Sequence, residues 1–202
     1  MSLTQQTPSF ENRRALVIHR PHAIIDSIAR QLTQIGMTAD CHWPDLPAEL
    51  DVAGYSVMFF DADMGHDAQF PWAAGEAPMP AIALIGSEAP GRIAWAIKRG
   101  ADAHLLKPIA GGGIYSAVLI ARDAFDRRQA LRAEVTNLKQ RLSNRECLAE
   151  ATALLMFNDH SSPTDAFRKL RLMAMAERLS IEAMAVKFLE QNLGTQRRHD
   201  SA

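Results

Sequence analysis

From Ile114 to Ser162 the chain contains neither glycine nor proline, and no other feature limits its fold so firmly. Those two residues most readily end a helix. Within the stretch, Ala117, Ala121, Ala124, Leu131, Val135, Leu138 and Leu142 follow the alternating three-and-four spacing of a heptad seam. One long helix is predicted. Arg128 and Arg145 interrupt the seam, so the spacing describes a short coiled coil of about two heptads. Leu131, Val135, Leu138 and Leu142 are its expected dimerisation residues. A lone helix packed on the rest of the protein is the alternative; little core remains nearby to cover such a stripe, which favours a homodimer.

The chain ahead of this helix has a different period. Ala15–Ile18, Val57–Phe60, Ala81–Ile85 and His104–Leu106 are short apolar runs, and Met37–Cys41 is a weaker fifth. Runs of that length bounded by turn signals suit strands of a parallel sheet buried on both faces. Between them, Ile24, Ile25, Ile28, Ala29, Leu32 and Ile35 recur at helical spacing and end at Gly36; Ile93, Ala94, Ala96 and Ile97 precede Gly100 in the same way. Strand, helix, glycine, strand is the pattern of a doubly wound α/β domain of the flavodoxin-like kind. The segment from Gly65 to Pro80 is rich in proline and glycine, and a loop-rich crossover is expected there.

After the long helix comes a break, Asn158-Asp-His-Ser-Ser-Pro163. Ser162, Pro163 and Asp165 make a sound helix start, with a hydroxyl cap, proline at the first position and an acid at the third. That helix runs to about Arg178. Ser180 caps a last one carrying Ile181, Met184, Ala185, Phe188 and Leu189 on one face. The tail from Gly194 is polar and expected to be mobile.

Composition narrows the function classes. No apolar stretch reaches the roughly 18 residues that span a bilayer, and the start MSLTQQTPSFENRR lacks the apolar centre of a signal peptide, so a cytoplasmic location is expected. Cys41 and Cys147 stand far apart, which suits neither a zinc site nor a disulfide framework. The net charge of −1 is unevenly divided: residues 1–120 carry 8 basic against 12 acidic side chains, and residues 121–202 carry 14 against 11. The second half leans slightly towards an anionic partner. No catalytic triad, phosphate loop or HExxH pattern occurs, and His19, His22, His42, His66 and His104 have no metal-ligand spacing. No enzyme activity, cofactor or metal is expected.

The stretch "VMFFDADM" resembles the end of the third strand in response-regulator receiver domains, with Asp61 at the position that accepts a phosphoryl group and Met64 at the matching spacing. "GADAHLLKPI", residues 100–109, resembles the fifth strand of that family, including Lys107 before Pro108. Phosphorylating an aspartate requires Mg²⁺ held by several anionic oxygens, which in receivers come from an acidic pair after the first strand. Here that place is His19-Arg20, a cationic pair expected to repel the ion and to pair with Asp61 instead. Ile85-Gly86 fills the register of the family's switching hydroxyl, and Ser87 comes late. His19, Arg20, Asp61 and Lys107 thus read as a degenerate phosphoacceptor pocket in a pseudo-receiver, a protein-docking module.

Residues 151–189 resemble the ANTAR domain, a three-helix RNA-binding module of antiterminators. Ala151, Leu154, Leu155, Met156, Ala166, Phe167, Leu170, Ala174, Met175, Ala185 and Leu189 carry the resemblance and are expected to form a small core. His160 stands where many members have glycine, and Glu177 where a base is frequent. Independently of the family, Arg168, Arg171 and Arg178 recur along one stripe beside the apolar face, while Lys169 points elsewhere. Guanidinium groups there suit phosphates or unpaired RNA bases. Arg168, Lys169, Arg171, Arg178 and Lys187 are the candidate RNA-binding residues.

The order of parts is that of AmiR-like antiterminators: a pseudo-receiver over residues 1–120, a coiled-coil linker over 121–148, an ANTAR domain over 149–193 and a tail over 194–202. The resemblance implies a dimer that binds paired hairpins in a leader mRNA, controlled by a ligand-sensing regulatory protein of periplasmic-binding-protein fold. Two alternatives stay open: a phosphorylation-switched response regulator with Asp61 as acceptor and an RNA-binding output, and a C-terminal unit that binds protein or DNA.

Overall fold

The computed structural model describes residues 9–47, 49–109 and 111–199, with side chains through residue 192. The chain divides into two compact units, residues 1–129 and 130–202.

In the first unit, β1 (Arg13–Ile18), β2 (Met37–His42), β3 (Tyr55–Asp61), β4 (Ala81–Ile85) and β5 (Ala103–Leu106) form one sheet in the order β2-β1-β3-β4-β5. All four pairings are parallel. This is the flavodoxin-like order of a doubly wound sheet. The three middle strands are buried on both faces, as their unbroken apolar runs require. The weak β2 signal has a physical reason: it is an edge strand, and only Met37 in it is fully buried.

Alternation sorts the strand residues into two layers. Ala15, Val17, Val57, Phe59, Ile82 and Leu84 face α1 (Ala23–Gln34) and the start of α3 (Ile114–Asp159). Leu16, Ile18, Met58, Phe60, Ala83 and Ile85 face α2 (Pro90–Arg99) and the crossovers. Gly100 closes α2 in the left-handed region at φ 89°, and a β-carbon on it would stand 2.9 Å from the backbone of Gly75. Only glycine fits that junction.

The loop-rich crossover from β3 to β4 has no α-helix among the described residues; its one regular piece is a 3₁₀ turn at Asp67–Gln69. Aromatic packing covers the sheet there instead. Phe70 meets Phe60, Trp72 and Trp95, and the buried Arg99 guanidinium lies 4.4 Å over the Phe70 ring. Asp67 ties the loop to α2 by accepting from Trp95 Nε1 at 2.8 Å.

The long helix is present, but its apolar stripe divides. Ile114, Ala117, Val118 and Ala121 are buried against the sheet, so Ala117 and Ala121 complete the α/β core and do not face a partner. The expected seam is therefore shorter than its spacing suggested. Leu131, Val135, Leu138 and Leu142, all in the second unit, are between 49% and 69% exposed.

In the second unit the end of α3 packs with α4 (Pro163–Glu177) and α5 (Ile181–His199) around Ala151, Leu155, Ala166, Leu170, Ala174, Met184, Ala185 and Phe188. Ser162 caps α4: its Oγ accepts from the Asp165 amide at 3.2 Å and donates to Asp165 Oδ2 at 2.7 Å. Ser180 Oγ accepts from the Ala183 amide at 3.1 Å. Two of the expected core residues are not in the core: Phe167, on the flank of α4 next to the buried face, and Met175, on the far side of the helix from Ala166, Leu170 and Ala174, are both exposed. The α5 helix continues through Gly194 to His199; the rest of the expected tail, residues 200–202, lies outside the described residues.

Candidate functional site

Parallel strands bring their carboxyl ends to one edge of a sheet, where doubly wound folds place their ligands. Ile18 lies opposite Phe60, Asp61 opposite Leu84, and Ile85 opposite Leu106. The next residues on these strands, His19, Gly86 and Lys107, therefore converge on Asp61 as it leaves β3.

Asp61 is 1% exposed. Its Oδ1 accepts from Lys107 Nζ at 2.6 Å and from the amides of Asp63 at 3.0 Å and Met64 at 3.4 Å. On the other oxygen, His19 Nε2 stands 3.4 Å from Oδ2, close enough to attract if charged but without hydrogen-bond geometry. His19 Nδ1 lies 2.7 Å from the Arg20 carbonyl. A carbonyl only accepts, so Nδ1 donates and Nε2 is the nitrogen turned to Asp61.

Lys107 bridges two carboxylates, since its Nζ also donates to Asp63 Oδ2 at 2.9 Å. The same Asp63 accepts from the Gly86 amide at 2.8 Å and the Ser87 amide at 3.0 Å, so the end of β4 is tied to the pocket by backbone donors. A β-carbon on Gly86 would stand 2.8 Å from Asp63 Oδ2, so a side chain there would push that carboxylate off its place against the Gly86 amide and Lys107. Burial pushes the Asp63 carboxyl up, but the Lys107 hydrogen bond, the two amides and the Lys107 charge outweigh it and hold the group below its ordinary value.

Of the predicted pocket residues, His19, Asp61 and Lys107 come together and Arg20 does not. Arg20 is exposed and makes no ion pair with Asp61, because successive residues leaving an extended strand point to opposite sides. The cation facing Asp61 is Lys107, with His19 beside it. The Asp-x-Asp spacing of "DAD" is legible in the sequence, but Asp63 is not among the predicted pocket residues.

These donors do not fit a magnesium ion. A hard dication takes oxygen ligands in near-octahedral array, whereas the first strand ends in a buried imidazole and an ammonium holds the oxygens of Asp61 and Asp63. Among the described residues no three His, Cys, Asp or Glu side chains are grouped as metal ligands.

The candidate nucleic-acid interface sits on the second unit. Three of its cations meet a carboxylate: Arg168 with Asp165 at 2.9 Å, Lys169 with Asp159 at 2.6 Å, and Lys187 with Glu177. Exposed pairs of this kind contribute at most about 1 kcal/mol, so each cation is readily exchanged to a phosphate. Arg171 and Arg178 are exposed and have no acidic partner among the described residues. Arg178 also closes α4 in the left-handed region at φ 57°, and the Leu179 amide reaches back to the Ala174 carbonyl at 2.9 Å. His160 does the same for α3 at φ 50°.

Residues 13–122 match the family described as AmiR, N-terminal, and residues 136–189 match the ANTAR domain. The transcriptional regulatory protein PdtaR of Mycobacterium tuberculosis, in strains CDC 1551 / Oshkosh and ATCC 25618 / H37Rv, is 33% identical over 96 residues, which cover 48% of this chain and 46% of PdtaR. The chain thus spans about half the length of these curated relatives. Similar solved structures include the Rec1 domain of ShkA in complex with c-di-GMP, at 22% identity over 55% of this chain and 93% of that one with a TM-score of 0.41. Another is a response regulator from Thermotoga maritima, at 15% identity over 55% of this chain and 98% of that one with a TM-score of 0.45. No helix among the described residues is long and apolar enough to cross a membrane. With the first match spanning more than half of its residues, this chain belongs to the AmiR-like family of transcription regulators, a receiver-like domain joined to an ANTAR domain.

Proposed function

We propose that this chain is a cytoplasmic, non-enzymatic transcription antiterminator that binds leader mRNA hairpins as a homodimer and takes its signal from a partner protein, not from phosphorylation. The observation that carries the control reading is the state of Asp61. Its carboxylate is buried, one oxygen is taken by Lys107 and two amides, and the other faces His19. A phosphodonor and a magnesium ion would have to displace groups that belong to the chain itself.

The ANTAR match supports the output reading, as does the basic set Arg168, Lys169, Arg171, Arg178 and Lys187, of which Arg171 and Arg178 have no acidic partner among the described residues. Dimerisation is assigned to Leu131, Val135, Leu138 and Leu142. An exposed apolar stripe at heptad spacing on a helix is stabilised by a second copy of itself. Two linked copies hold two hairpins at once, which raises the effective affinity without a larger interface. The domains are assigned as before: receiver-like residues 1–120, linker 121–148, ANTAR 149–193. A ligand sensor of periplasmic-binding-protein fold, gripping the first unit or the linker and releasing it when ligand arrives, completes the reading through differential affinity for two states.

Two measurements test it. Incubation with a small phosphodonor and Mg²⁺ is expected to leave the intact mass unchanged; a labile phosphoryl adduct that disappears in Asp61→Asn would establish the phosphorylation-switched alternative. A gel shift against a two-hairpin leader RNA is expected to weaken when Arg168, Arg171 and Arg178 are replaced by Ala, and unchanged binding removes the assigned interface.

A further inference from the structure

The flank of α4 that carries a cation without an acidic partner also carries an aromatic ring. Ala166 and Leu170 are buried, yet Phe167 between them is 42% exposed. Residues four apart lie on one helix face, so Phe167 stands one turn before Arg171, and Arg178 follows where the helix ends. Leu172 and Met175 extend the exposed apolar surface of the same helix. The remaining basic candidates, Arg168, Lys169 and Lys187, are each held by a carboxylate.

A half-exposed ring beside free guanidinium groups suits one kind of ligand better than others. Unpaired RNA bases splay out of loops and stack on aromatic planes, while the flanking phosphates need cations. A protein covering this flank would bury Arg171 and Arg178, and unless it brought carboxylates to meet them the desolvation would be costly. RNA brings its own anions. Resting on the RNA-binding reading above, the geometry points to Phe167 as the residue that stacks on an unpaired base of the hairpin loop, with Arg171 and Arg178 holding the phosphates on either side. Because every base has a π-face, this contact sets how tightly an open loop is preferred over a closed stem, more than which base is chosen.

The test uses the full chain. Binders are enriched from hairpin RNAs with a randomised loop, and the enriched hairpin is remade with 2-aminopurine at each loop position in turn and, as a control, with its loop replaced by a plain duplex. Wild type is expected to quench at least one loop position and none in the duplex. Phe167→Leu keeps an apolar side chain in place, so its melting curve is expected to match wild type, while the quench disappears and affinity falls roughly 10- to 100-fold. Phe167→Trp is expected to restore both. Phe167→Leu binding and quenching like wild type overturns the assignment and leaves the RNA reading standing. A fall in oligomer mass with Phe167→Leu, with RNA affinity lost only in step with it, overturns the assignment in favour of a protein interface. Enrichment of no hairpin by wild type overturns the RNA reading itself, and the assignment with it.

Discussion

Arg128 of α3 forms an ion pair with Asp102, a carboxylate 1% exposed in the turn before β5 that also accepts the Ala81 amide at 3.0 Å. In the sequence Arg128 looked like a fault in a heptad seam. In the fold it fastens the long helix to the sheet, with its guanidinium over the Phe125 ring at 5.2 Å. Arg128→Ala removes the main cation from a buried anion. The α/β unit is expected to lose about 2 kcal/mol, less than a fully buried pair because Arg128 keeps partial contact with water. Thermal unfolding followed by circular dichroism checks this, with a fall of roughly 5–10 °C expected.

Asp63 gives the first unit an acid limb. Its carboxyl is held below the ordinary value in the fold, so the unfolded chain binds a proton there more readily than the folded one. The stabilisation is complete above the unfolded value of about 3.9 and is lost as pH falls through the lower folded value. Melting temperature plotted against pH is expected to drop in that window. Asp63→Asn should flatten the drop and cost about 1–2 kcal/mol at neutral pH, since a neutral amide holds Lys107 less strongly and one amide donor at the end of β4 loses a charged acceptor.

His160 occupies a backbone position at φ 50° that favours glycine. His160→Gly relieves that conformation, partly offset by the greater freedom of glycine in the unfolded chain. The second unit is expected to gain about 0.5–1 kcal/mol, read as a rise of a few degrees in the melting of the C-terminal helices. No gain would mean that the His160 side chain contributes a contact worth as much as the strain.

Leu138→Lys places a charge in the middle of the exposed stripe. Sedimentation equilibrium is expected to show monomer where wild type shows dimer, with the melting of the α/β unit unchanged, since Leu138 is 49% exposed within one chain. Persisting dimer would move the interface elsewhere.

Much of this was legible because it depends on local pattern. The central strands announced themselves as apolar runs; β2 was faint because an edge strand buries little. Convergence of His19, Asp61 and Lys107 could be read from motif positions alone. What could not be read was direction. Arg20 and His19 are neighbours in the chain, and only the geometry at the end of β1 decides which of them turns inward. Phe167 and Met175 matched a pattern whose other members are buried or packed against the buried cluster, but a helical face is set by packing and not by similarity. Arg128 had no sequence signal for its partner, since Asp102 is reached through the tertiary fold.

The helix α3 belongs to two cores. Ile114, Ala117, Val118 and Ala121 finish the layer on the sheet, and Ala151 and Leu155 finish the three-helix cluster. A fragment stopped at the end of β5, or one begun at Pro163, would leave a hydrophobic cluster unroofed and prone to aggregate. Dissecting the protein therefore means severing it within 130–143, where every residue is exposed, so that each half carries away its own share of the rod.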